Sequence, residues 1–171
     1  PPADYKALCT ANLPEPAVRD PKEYFDCTTY IGNGESGRTI NSFKFKPDSV
    51  WIKSRTTNAY NPRIFDSLRM DNFPDNALIP SRSDQEGATN DYFGGVAFEK
   101  NGFSMHNGTG GSTVGINGSA DDFVAWAWKF GNEAVTNNDG TGTSIVNAAP
   151  EAGMSAIVYT GNGTGQTLGH G

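Results

Sequence analysis

Residues 122–130, DFVAWAWKF, form the most hydrophobic stretch of the chain, and their reading decides the fold. Val124, Trp126 and Trp128 alternate with Phe123, Ala125 and Ala127. In an extended strand the two sets point to opposite sides of a sheet. Both sides are apolar, which predicts a central strand covered on both faces, with the alanines where another layer comes close. Val124, Trp126 and Trp128 are therefore assigned to the core. The run is too short to cross a bilayer, so no membrane insertion is expected.

Working outward, the neighbouring segments repeat this two-residue period. In DSVWIKSR (48–55), Val50 and Ile52 share one face and are assigned to the core, while Trp51 and Lys53 share the other. FDCTTYI (25–31) is a β-type run closed by Gly32-Asn33-Gly34, and VAFEKNGFSMH (96–106) is a hairpin turning at Asn101-Gly102. RIFDSLR (63–69) reads as a strand or a single helical turn. Residues 71–95 form a long polar excursion, and 108–122 are turn-rich. TNNDGTGTSIVNAA gives a turn and then a strand, and MSAIVYT gives the next strand. No helical period is sustained. The expected fold is an all-β antiparallel sandwich of jelly-roll or concanavalin-like type.

Composition sets the outer limits. The 171 residues fit one main domain; 36% are hydrophobic and 19% charged, which excludes a disordered polyelectrolyte. A formal net charge of −6, with no basic run, argues against nucleic acid as a partner. Residues 1–23 hold five of the 10 prolines and read as a linker or the closing strand of an upstream domain. With Pro1 first and no initiator Met, the chain is expected to have begun inside a longer polypeptide. Cys9 and Cys27 are read as two free thiols, with a disulfide between them as the alternative.

One phrase occurs twice. Tyr30-Ile-Gly-Asn-Gly34 recurs as Tyr159-Thr-Gly-Asn-Gly163, and Gly37-Arg-Thr-Ile40 recurs, with one deletion, as Gly165-Gln-Thr-Leu168. Each copy follows an apolar strand. The reading is a tandem array: residues 24–150 make one complete unit and 151–171 open a second copy.

The order FKPDSVWIKSR, FDSLR, NGFSMHNG, DDFVAWAWK, NNDGTGTSIVNAAPEAGMSAIVYTGNG and a final GHG resembles an uncharacterised repeat domain of tailed-bacteriophage structural proteins. The leader PPADYKALCTANLPEP is similar to the end of a SPRY-like, concanavalin-type sandwich that precedes such domains. Residues 71–95 depart from the family pattern, and Phe123 stands where Tyr is commoner. The resemblance implies a virion location and a tail fibre or tail-associated protein, with a capsid decoration protein as the alternative. It further implies other virion subunits as partners, a homo-oligomer, and host cell-surface glycan as a candidate ligand.

The residues do not mark a catalyst, and no enzymatic activity, cofactor or metal is expected. His106 and His170 lack a cluster at ligand spacing, and no Gly-x-Ser-x-Gly elbow is present. Asp121, Asp122, Glu99 and Asp91 are the carboxylates a glycan depolymerase would have to pair. Residues 136–144 alternate oxygen ligands but lack the closing Glu of a calcium loop, and read as a hairpin turn. The sequons at Asn107, Asn117 and Asn162 read as turns. Trp51, Tyr60, Tyr92 and Phe93 are the candidate glycan or partner contacts, as a carbohydrate-binding module would also require. Lys53 and Arg55 are expected to bridge to Asp66.

Overall fold

The alternating runs become strands that pair over long range. The computed structural model describes residues 3, 5–7, 9–58, 60–73, 77–86 and 94–171. Among these, β1 (Phe25–Ile31), β2 (Arg38–Ile40), β3 (Ser49–Ser54), β4 (Arg63–Asp66) and β5 (Gly95–Glu99) precede the hairpin partner β6 (Gly102–His106). Then come a one-turn helix α1 (Val114–Asn117), β7 (Asp122–Trp128), β8 (Val135–Asn137), β9 (Ser144–Ala149) and β10 (Met154–Tyr159). All strand pairs are antiparallel. They form a four-stranded sheet β1-β7-β3-β4, a three-stranded sheet β2-β6-β5, and a second three-stranded sheet β10-β9-β8.

The first two sheets enclose the core, which makes the chain an all-β sandwich. Val50 pairs with Ala127, Ile52 with Ala125 and Tyr30 with Phe123, so these residues share the inner face of the larger sheet. They meet Val96, Phe103 and Met105 of the facing sheet, with Phe43, Phe45 and Ile116 closing the ends. The Tyr30 ring stacks on Phe123 at 5.3 Å and meets Phe103 edge-on at 6.3 Å. Arg63 shares the inner side of β4 with Phe65; burial lowers its pKa to about 10, with Arg82 adding repulsion.

Val50 and Ile52 are core residues, but the assignment of Val124, Trp126 and Trp128 to the core is corrected. The buried set on β7 is Phe123, Ala125 and Ala127, each 0% exposed. The tryptophans lie on the outer face, half-buried. Phe43, Phe45 and Phe103 share the buried cluster with these residues, and the small alanines leave room for such rings between the sheets.

The boundary read after residue 150 lies in the turn of the β9–β10 hairpin, where Met154 pairs with Ala149 and Tyr159 with Ser144. Residues 154–159 thus complete a sheet of this chain, and at the β8–β9 turn the Thr141 amide donates to the Thr167 carbonyl while the Thr167 amide donates to the Thr141 hydroxyl. The turn-rich stretch 108–122 also contains α1, whose Asn117 is fully buried and not a surface turn. Residues 63–69 resolve into β4 followed by a 3₁₀ turn, Ser67–Asn72. Among the described residues no helix is long and apolar enough to cross a membrane.

Candidate functional site

The outer face of the four-stranded sheet carries an aromatic group built from Phe25, Trp51, Trp126 and Trp128. Strand register places Cys27, Trp126, Trp51 and Ile64 in one row across β1, β7, β3 and β4, with Phe25 and Trp128 in the next. Trp51 lies 5.8 Å from Trp126, tilted by 57°, and Phe25 lies 5.3 Å from Trp128. Trp51 is 37% exposed, Phe25 40% and Ile31 62%, so the rings cover one another while leaving an apolar strip open. The ladder holds the four strands in place, so the strip is rigid at low cost in side-chain entropy.

At the β4 end the strip meets a groove of about 330 Å³, lined by Leu68, Leu78, Phe130, Ile157 and Tyr159. Asp66 on its wall pairs with Arg69, which donates from Nε at 2.8 Å and also reaches Glu86 at 3.2 Å. This corrects the expected bridge from Lys53 and Arg55: Lys53 donates to the carbonyl of Ser54 instead. The Asp66 side chain also accepts from the Leu68 amide, so the carboxylate closes the local turn. Tyr60 is half-buried and off the strip's register rows. Tyr92, Phe93 and Asp91 lie outside the described residues.

A second cavity, of about 480 Å³, lies by Lys46, Asp48, Ser67, Met70, Phe98 and Lys129. Asp48 accepts from the Phe130 amide at 2.9 Å and the Ser67 hydroxyl at 3.2 Å, tying β3 to its neighbours on both sides. Burial pushes its carboxyl above the usual value of 3.8, outweighing those bonds and the two lysines. A carboxyl raised on folding stabilises fully below its unfolded pKa, and that contribution fades as pH rises through the folded value. Asp48→Asn keeps an acceptor and cannot ionise. Urea unfolding should show wild type gaining on this variant as pH falls from about 7 to about 4; a constant difference would refute the assignment.

The grouping nearest to a catalytic relay is Glu99, Ser104 and His106. The Ser104 hydroxyl lies 2.9 Å from both Glu99 Oε1 and His106 Nε2. In a nucleophilic relay the acid holds the far side of the imidazole. Here the serine sits between acid and imidazole and is 5% exposed, an arrangement that ties the β5–β6 hairpin together. Asp121 contacts Thr56, and residues 138–143 form the plain β8–β9 turn, with Asn137 accepting from the Asp139 amide. Among the described residues no group of three or more His, Cys, Asp or Glu is placed to hold a metal. Cys9 and Cys27 are free and exposed.

Among the described residues Trp51 is the candidate contact whose outward position was legible in the sequence, because it stands opposite Val50 and Ile52. Phe25 and Ile31 were missed; only their alternation with Tyr30 signalled an outward position. No curated protein and no solved structure matches the chain. A family match does span both copies of the repeated phrase: the chain belongs to the family described as a domain of unknown function (DUF7483), matched over residues 20–171.

Proposed function

We propose that the chain is a non-enzymatic structural and adhesive module of a phage virion protein, a tail fibre or tail-associated protein, working as a homo-oligomer among other virion subunits. The observation that carries the reading is the open strip of Trp51, Trp126, Trp128 and Phe25 on a sheet face. Half-exposed rings fixed by a β-ladder suit a flat apolar partner, either a sugar ring or the face of a neighbouring subunit. The order of motifs from FKPDSVWIKSR to GHG supports the phage setting, and a capsid decoration protein would use the same strip against a shell.

The exposure of Trp51 favours one second reading, a carbohydrate-binding module of a secreted enzyme. Binding to intact host cells and to a panel of capsular glycans, with light-scattering mass, tests the proposal. Trp51→Ala should lower the melting temperature by no more than about 5 °C while weakening retention roughly tenfold. Retention by isolated glycan alone, without cells or virion subunits, would favour the carbohydrate-binding module. Turnover of capsular glycan would overturn the non-enzymatic reading, and retention indifferent to Trp51 would overturn the strip.

A further inference from the structure

Tyr159-Thr-Gly-Asn-Gly163, which ends β10, repeats Tyr30-Ile-Gly-Asn-Gly34, which ends β1, and takes the same shape of turn, but not the same burial. After β1 the Asn33 side chain accepts from the Glu35 amide at 3.1 Å, and Gly34 has φ of 76°. After β10 the Asn162 side chain accepts from the Thr164 amide at 2.9 Å, and Gly163 has φ of 75°. That left-handed φ selects glycine, so the Asn-Gly turn takes one local shape twice. The surroundings differ. Tyr30 is 8% exposed, and its hydroxyl donates to the Ile116 carbonyl at 2.6 Å. Tyr159, in the matching place, is 55% exposed, and Ile157, two residues before it, is 36% exposed.

The sheet orders complete the comparison. Among the described residues β1 pairs only with β7 and has no strand on its other edge; β10 pairs only with β9 and has none on its other edge. An open edge carries a row of unpaired backbone groups, a template for one more strand.

We infer that β10 is a linking strand, bound to β9 of its own unit and shaped to serve as the first strand of a second copy of the unit. The β7 of that copy lies along the open edge of β10, and Tyr159 enters the layer that Tyr30 occupies here. The open edge of β1 is, in the same way, the seat for the β9 of a preceding copy. A copy of this chain is the specific occupant because it brings a Phe123-type ring, an Ile116-type carbonyl and an Asn117-type clamp together. Residues 164–168 would leave the β8–β9 turn and take the place of β2 beside β6. This inference uses β10 and is independent of the aromatic strip.

A fused chain tests it, with residues 1–160 running directly into residues 32–171, so that the second unit has β10 as its only first strand. Both units should fold, and the amides of residues 155–159 should become more slowly exchanging than in the single chain. Tyr159→Ala should shift the melting temperature of the single chain by less than about 2 °C, yet lower that of the second unit in the fused chain by about 10 °C. An unfolded second unit, or a fused chain indifferent to Tyr159→Ala, overturns the proposal. Should the fused chain aggregate, strand exchange decides: Met154–Thr160 in place of Phe25–Ile31 should give a folded single chain, and an unfolded one overturns the equivalence.

Discussion

Replacing Asn117 with alanine should destabilise the fold by about 3–5 kcal/mol, although the side chain is small and polar. Its amide is 0% exposed and makes four bonds. Nδ2 donates to Asn33 Oδ1 at 2.7 Å and to the Glu35 carbonyl at 2.9 Å. Oδ1 accepts from the Asn33 amide at 3.1 Å and from Arg38 at 2.9 Å. These bonds fasten the loop after β1 to α1, where a Cβ at Gly32 would sit 1.9 Å from the Gly118 carbonyl oxygen. Alanine removes all four bonds, and a net loss of about 1 kcal/mol for each gives the total. For a chain of this size the melting temperature should fall by roughly 10 °C. A double-mutant cycle with Asn33→Ala should show coupling above about 1 kcal/mol; additive losses would mean that the loop is held by something else.

That clamp was illegible in the sequence for a physical reason. Asn117 stands before a glycine, which reads locally as a turn, and its partners are brought near only by the β1–β7 ladder. The elements whose signal is local were legible: the Asn101-Gly102 hairpin, the β3 alternation and the β9 and β10 runs all form as expected. The helical turn of α1 spans four residues, too few for a period. Asp66 shows the same limit among charges. Lysine and arginine across the ladder were its expected partners, but Arg69, three residues along, reaches it first. Of the site, Trp51 was legible because its neighbours were plainly inward, while β1 mixed Thr, Cys and Phe on its outer face.

The strand β7 gives the sharper test, since sequence and structure rank its side chains in opposite order. By size alone Trp126→Ala should cost most, because tryptophan carries the larger apolar surface. The structure reverses this: Phe123→Ala should cost about 3–5 kcal/mol and Trp126→Ala about 1–2 kcal/mol. Phe123 is 0% exposed and stacks on Tyr30, so its removal opens a cavity that neighbours on two sheets cannot close. Trp126 has water on one side and loses mainly its contact with Trp51. Alternation reveals that a strand has two faces but not which is inward; that depends on what the facing layer can accommodate. Ala125→Leu supplies the complementary measurement. Adding bulk at a site 0% exposed between the sheets should destabilise by about 1–3 kcal/mol, whereas a cavity there would accept it. Urea denaturation of the three variants checks the order, and a Trp126→Ala loss exceeding that of Phe123→Ala would return the tryptophans to the core.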